Sequence, residues 1–338
     1  SRSLEKIIAK SKPDLIHYHN LHFSGLSVVE VAKKMGIPSV WSIYDYWLFC
    51  PSFMLLKNTG KLCDKGHGAH CVDCVGSNKM SSLHTLKRKL FSIRPSIFAK
   101  KRDAVSKFVV LSNSSQDLLL QHGVEAERVS VIPQYIWQEA LDKKRAIEPD
   151  YGRLSYIGWV EERKGLHIII EALALICDDY PSLQLDILGL PADQEYEKML
   201  KNKIDESNLS DRVHFLGMIP RENLLESLQR SWAVVVPEQW ENMSPVILTE
   251  AMAAGACVIA SRVGGIKSFI ENRKSGLLAE RDQPKSWSEQ IRFIMEEKEQ
   301  VISIGKAARE RATQLFNTKK ITHSILELYE DIINERCD

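Results

Sequence analysis

Three observations predict an α/β protein of two doubly wound domains. Short apolar, β-branched runs alternate with segments of helical period along nearly the whole chain. Most of those runs are apolar throughout rather than strictly alternating, the pattern of parallel strands covered on both faces. One polar stretch, QEALDKKRAIEPDYG at 138–152, interrupts the alternation and marks a junction. The length of 338 residues agrees, at roughly 150 residues per domain.

In chain order, DLIHYH (14–19), a helix through SVVEVAKKMG and PSVWSIY (38–44) make one strand–helix–strand unit. FVVLS (108–112), a helix over 114–122 and VSVIP (129–133) make another. Beyond the junction, LSYIG (154–158), LQLDILG (183–189), RVHFLG (212–217), WAVVVP (232–237), CVIAS (257–261) and GLLA (276–279) read as strands. Nearly every gap between them can hold a helix. The expected domains are 1–140 and 141–318, followed by a terminal helix at 319–338. That helix carries Ile321, Ile325, Leu328, Tyr329, Ile332 and Ile333 on one stripe, which needs a surface and is expected to return toward the first domain. Four strands in the first domain against six in the second leave the first looking incomplete.

With 44% hydrophobic and 26% charged residues, disordered, collagen-like and coiled-coil classes are excluded. The 45 basic and 44 acidic residues give a net charge of +1, so no global field calls for nucleic acid. The apolar runs, such as AVVV (233–236) and III (168–170), are too short to span a bilayer. The opening SRSLEKIIAKSK has no secretory pattern and no initiating Met, which suggests a piece of a longer chain. Cys177, Cys257 and Cys337 are scattered while Cys50, Cys63, Cys71 and Cys74 crowd together, and a reducing, cytoplasmic address is expected.

Open parallel sheets bind ligands beyond the carboxyl ends of their strands, and two such loops carry informative residues. After strand 154–158, Gly158 opens the loop GWVEERKG, where Lys164 can reach a phosphate. An ion pair there is worth about 4 kcal/mol of Coulomb energy before desolvation. After WAVVVP, Ser244 suits a helix N-cap, Pro245 the first helical position and Gly255 the stop. The N–H groups of Val246 and Ile247 would then be free for an anion, and Glu250 could accept from a ribose diol. Read singly, Lys164 also fits a solvated turn and Glu250 a complement to the helix dipole.

Taken together, GWVEERKGLHIIIEAL, LQLDILG, RVHFLGMIP, PEQWENMSPVILTEAMAAGACVIASRVGG and SGLLA resemble the retaining GT-B glycosyltransferases of family 4. PDLIHYHN, IPSVWSIYDYWLFCP and VVLSNSSQDLLLQHGVEAERVSVIP extend the resemblance, in the family's order, over nearly the whole chain. It implies two Rossmann-like domains facing a crevice, the first lacking an N-terminal stretch that the family carries. It also implies transfer of a sugar from a nucleoside-diphosphate sugar to a glycan or lipid-linked acceptor, with retention. Lys164, Arg163 and the helix start at Ser244, Val246 and Ile247 would hold the diphosphate, Glu250 the ribose, and the backbone near Met218 and Ile219 the base. No DxD motif occurs, and no cofactor is expected for catalysis.

The chain departs from the family pattern at four positions. Trp159 stands for the usual Arg, and Asn242 for an acid, with Glu241 one place earlier. Lys267-Ser268 replaces a Glu after the double glycine, and Tyr44, followed by Asp45, replaces a His. Glu241, Asn242, Tyr44 and Asp45 are thus the catalytic candidates, with Arg163 or Glu241 able to compensate. One lost charged hydrogen bond costs roughly 1.5–3 kcal/mol, enough to slow an enzyme, and several together can silence it. A catalytically degenerate binding subunit and a sugar-nucleotide epimerase share the same fold.

The set Cys50-x12-Cys63-x7-Cys71-x2-Cys74 admits a structural zinc, a disulfide or free thiols. Between Lys79 and Lys107, seven further basic residues face a single acid, Asp103, and are interleaved with Leu86, Leu90, Phe91, Ile93, Ile97 and Phe98. This pattern suits an anionic membrane surface, at about 1 kcal/mol per basic residue, or a solvated helix packing its apolar side on the domain. Without an aromatic platform, nucleic acid is not expected. His17 and His19 share one face of their strand, and one at its carboxyl end is expected to line the crevice.

Overall fold

The computed structural model describes residues 2–22, 25–75, 82–142 and 147–335; Lys79 and Cys337 lie outside them. The chain divides into two compact units, residues 1–133 with 319–338, and residues 134–318.

In the first unit, β1 (Ile16–His19), β2 (Ser39–Ile43), β3 (Lys107–Val110) and β4 (Val129–Val131) lie side by side in chain order, all parallel. Tyr18, Trp41 and Phe108 stand in register across the first three. The helix Thr318–Asn334 lays Ile321, Leu328 and Ile332 against Val40, Val109 and Ile132 of this sheet. Its stripe is buried at about 1.5–3 kcal/mol per fully covered aliphatic side chain.

The helix Ser82–Arg102 is turned the opposite way from its apolar pattern. Leu86, Leu90, Ile93 and Ile97, at i, i+4, i+7 and i+11, are 43–56% exposed, whereas Arg94 is only 9% exposed and Phe98 is buried. The reading in which the apolar side packs on the domain is corrected for these four residues. The reason is local: Phe98 meets Trp47 edge-on at 5.2 Å, and the Arg94 guanidinium lies 3.7 Å above Phe98 while donating to the Trp47 carbonyl.

The second unit holds six parallel strands: β5 (Asp150–Ile157), β6 (Gln184–Leu188), β7 (Val213–Phe215), β8 (Ser231–Val236), β9 (Cys257–Ser261) and β10 (Leu277–Ala279). Their spatial order is β10-β9-β8-β5-β6-β7, so the chain winds outward from β5 in one direction and then from β8 in the other. Side chains alternate between two cores, as period-2 strands require. Ala233, Val235, Cys257 and Ile259 enter one, with the helices Leu166–Ala174 and Pro284–Glu296. Val234, Val236, Val258 and Ala260 enter the other, with the helices Val246–Ala254 and Lys298–Leu315.

Candidate functional site

The strand order of the second unit reverses between β5 and β8, and in such sheets the carboxyl ends at the reversal form the ligand crevice. Glycines let the loops there touch. A Cβ on Gly165 (φ 74°) would stand 1.9 Å from the Pro237 carbonyl oxygen, one on Gly189 1.7 Å from that of Gly158, and one on Gly264 (φ 45°) 2.2 Å from that of Asn242. No larger residue fits without moving backbone. Hydrogen bonds from Gln239 N to Arg163 O (2.8 Å) and Gly265 N to Asn242 O (2.9 Å) complete the seams.

Inside these seams, Glu238 gathers three donors. It is 2% exposed and accepts from Lys164 Nζ at 2.6 Å, Asn242 Nδ2 at 3.0 Å and the Trp240 indole. One of the three donors of Lys164 is therefore spent on a carboxylate, which holds the ammonium at the end of β5. Reading the sequence did not single out Glu238. Its signal was an acid placed just past the end of a wholly buried parallel strand, where a charge requires a partner.

Asn242 uses both ends of its amide, since Oδ1 also accepts from Ser244 N at 3.1 Å. Glu241 Oε2 accepts from Gly264 N at 2.6 Å, and Arg163 pairs with Glu161 at 2.5 Å while lying over the Trp240 ring. Both expected compensators are thus already engaged, Arg163 by Glu161 in its own loop and Glu241 by Gly264 of the loop after β9. Trp159 is exposed and its carbonyl accepts from the Tyr156 hydroxyl at 2.6 Å. Lys267 is exposed on the short helix Ile266–Phe269.

The helix carrying Glu250 begins one residue later than expected. Pro245 (φ −63°, ψ 118°) is its N-cap and supplies no side-chain cap; Ser244 is not the N-cap. Asn242 Oδ1 takes the Ser244 N–H and fixes that turn, leaving Ser244 Oγ buried without a partner among the described residues. The N–H groups of Val246 and Ile247 also have no partner among the described residues. Gly255 (φ 77°) ends the helix as expected.

Glu250 is buried on this helix and pairs with Arg221 Nη2 at 2.6 Å. Burial pushes its carboxyl above the ordinary value, and Arg221 offsets only part of that. Arg221 lies over the Trp137 ring and follows Met218 and Ile219 closely in the chain, so it ties the 218–221 turn to Glu250. Met218 is exposed, whereas Ile219 is half-buried against the core. Lys164, Asn242 and the helix start therefore share one knit of loops, and Glu250 lies on the helix that this knit opens.

Tyr44 and Asp45 belong to the first unit, just past β2. The exposed Tyr44 hydroxyl meets His19 Nδ1 at 2.9 Å, with their rings stacked. Asp45 accepts from Trp47 N at 2.8 Å, and burial raises its carboxyl. His17 is held by Tyr329 at 2.5 Å and Ser42 at 2.8 Å; burial lowers it to about 4, so it stays neutral. Cys50, Cys63, Cys71 and Cys74 all line one cavity of the same unit.

Residues 138–311 match the family Glycosyl transferases group 1, and residues 1–136 match Glycosyltransferase Family 4. The chain belongs to the group 1 glycosyl transferases. Its fold is GT-B. Among solved structures it is similar to HepE of Anabaena, with a TM-score of 0.75 and 19% identity over 98% of this chain and 82% of that one. Sucrose-phosphate synthase of Thermosynechococcus elongatus gives a TM-score of 0.67 and 21% identity over 99% and 77%.

Curated relatives include the D-inositol 3-phosphate glycosyltransferases of Corynebacterium glutamicum strain R and Corynebacterium urealyticum. The first is 24% identical over 87% of this chain and 72% of its own length. The second is 28% identical over 53% of this chain, which spans 43% of that relative. In this group 1 glycosyl transferase, no helix of the described residues is long and apolar enough to cross a membrane.

Proposed function

We propose that the chain transfers a sugar from a nucleoside-diphosphate sugar to a glycan or lipid-linked acceptor, with retention, at the carboxyl ends of β5 and β8. One observation carries this reading. At the strand-order reversal, the Lys164 ammonium, held on Glu238, shares a knit of loops with a helix start whose first N–H groups and neighbouring Ser244 hydroxyl have no partner among the described residues. This is a built anion site. Glu250 suits the two hydroxyls of a ribose, which a phosphate-only site would not need.

These groups would stabilise the departing diphosphate as its negative charge grows, and such electrostatic stabilisation usually contributes most to lowering the barrier. The acceptor oxygen bonds to the anomeric carbon as the carbon–diphosphate bond breaks on the same face. The acceptor proton passes to the departing diphosphate oxygen. In this reading Lys164 and the backbone donors supply the positive field, and no metal is required. HepE has been solved with UDP and with UDP-glucose, so UDP-sugars are the first donors to test.

The test is product analysis by NMR with the whole chain, a donor and a panel of glycan and lipid-linked acceptors. Transfer with the donor's anomeric configuration kept supports the proposal. Inversion, donor isomerisation without acceptor, or tight donor binding with no turnover on any acceptor would overturn it, the last two favouring an epimerase and a silent binding homologue.

We also propose that the helix Ser82–Arg102 rests on an anionic membrane surface at the cytoplasmic face. Its outward aliphatic stripe lies among Arg88, Lys89 and Lys100, and the helix carries no acid. Co-sedimentation with phosphatidylglycerol vesicles is expected, with loss on Leu90→Ser/Ile93→Ser. Equal binding by that variant would contradict it.

A further inference from the structure

The segment between β2 and the helix Ser82–Arg102 has little regular structure among the described residues. An isolated bridge, Leu56–Leu62, precedes the short helices Ala69–Cys71 and Val72–Val75. Tight turns shape it, with Phe53 and Leu55 at positive φ. Tyr46, Leu48, Phe49 and Leu55 anchor its first part, but from 56 to 70 no apolar side chain is buried, and such a stretch commonly relies on a cross-link.

The four cysteines of this segment come from sequence positions up to 24 residues apart, yet all line one cavity of about 190 Å³. Cys50 and Cys71 are buried, and Cys63 and Cys74 lie at its half-exposed rim. Gly68 N donates to Cys71 Sγ at 3.3 Å. Cys63 Sγ and Cys71 Sγ stand 3.9 and 3.8 Å from the same Gly66 carbonyl oxygen.

The second observation is Arg94. Its guanidinium is buried, and among the described residues its Nε has no partner and its hydrogen bond goes to a carbonyl, that of Trp47, rather than to a carboxylate. Its partners, the Trp47 carbonyl and the Phe98 ring, carry no charge, and its helix packs on the Ala69–Cys71 turn. A buried cation requires an anion, and neutral thiols do not provide one. Four thiolates around a divalent zinc leave a net double negative charge, which does.

We propose that Cys50, Cys63, Cys71 and Cys74 bind one zinc ion that clips this loop, with Arg94 as the counter-charge. Four thiols lose their protons to solvent as four sulfur–zinc bonds form, and no oxidation is involved. Among the described residues no three metal-binding side chains now converge closely enough to hold an ion. Binding therefore draws the rim cysteines, Cys63 and Cys74, inward onto the buried pair. With four protein ligands the site is closed, which makes it structural rather than catalytic. The proposal is independent of the donor site, which lies in the other unit.

The experiment is elemental analysis of the whole chain, purified without chelator or added reductant, together with counting of reactive thiols. The expected result is about one zinc per chain, loss of zinc in Cys74→Ser, and retention in Cys177→Ser. Exchange for cobalt(II) in the unaltered chain should produce the intense visible bands of tetrahedral thiolate coordination, a readout that holds even if a variant fails to fold. Zinc-free protein with every thiol reactive overturns the proposal in favour of free thiols. Zinc-free protein that yields new thiols only after reduction overturns it in favour of a disulfide.

Discussion

The second unit builds its interior from hydrocarbon, with Leu154, Ile169, Leu185, Ile259 and Trp287 fully buried, and gathers charge at the ends of its strands. The first unit instead buries Arg94 and the Cys50 and Cys71 thiols, and holds His17 and His67 largely out of water. The second unit keeps much of its polarity where a ligand would meet it, apart from Asp186 and the Ser155–Ser231 pair, and the first uses polarity as part of its frame. The two should therefore respond differently to substitution and to acid.

The largest expected effect is at Lys164. Lys164→Ala removes a group poised for the diphosphate, so turnover should fall by about 10²–10³-fold. It also strands the Glu238 carboxylate in the interior, costing roughly 3–5 kcal/mol in urea unfolding. Adding Glu238→Gln should recover most of the stability and none of the turnover. Recovery of both would show that the pair is only structural.

Gly165→Ala comes next, because its Cβ would press on the Pro237 carbonyl at a positive φ. A loss of about 1–3 kcal/mol is expected from strain alone, with weaker donor binding. An unchanged urea midpoint would mean that the seam between the β5 and β8 loops is loose.

Acid should weaken the first unit more, since burial lowers His17, His19, His67 and His122 there but, among the described residues, only His167 in the second. Burial lowers His17 and His67 from 6.5 to about 4, so between those values the unfolded state binds more protons than the folded one. Their contribution to stability is complete above pH 6.5 and is lost as the pH falls toward 4. Hydrogen exchange should show β1 and β2 opening first in that window, and His17→Asn should flatten the trend. Simultaneous opening of both units would erase the contrast.

The smallest effect is expected at Glu250→Gln. Burial disfavours the charge and Arg221 is half-exposed, so stability should change little. The nucleotide-sugar KM should rise about tenfold, equivalent to about 1.4 kcal/mol. A large loss of stability with an unchanged KM would make the Glu250–Arg221 pair a structural contact.

Most of the fold was legible because parallel strands announce themselves locally. CVIAS at 257–261 is a strand over those same residues. β5 starts earlier than its apolar run because Arg153 bridges Asp150 and Asp186, which lets a polar segment join the sheet. The site was legible where a loop has a fixed place beyond a strand, as with Lys164, and less so where meaning depends on a partner. Glu238 became prominent only with Lys164 beside it, 74 residues away. Ser244 looked like a cap until Asn242 claimed its N–H. The helix Ser82–Arg102 showed two faces in sequence, but the contact with Trp47 decides which one turns inward.

The most direct measurement is calorimetric titration of the whole chain, and of Lys164→Ala with Glu238→Gln as the folded control, against UDP-, GDP- and ADP-sugars. A donor site at the carboxyl ends of β5 and β8 predicts one nucleotide sugar that binds the unaltered chain and is lost from the double variant. Undiminished binding to the double variant, or no binding to a folded unaltered chain, would contradict it.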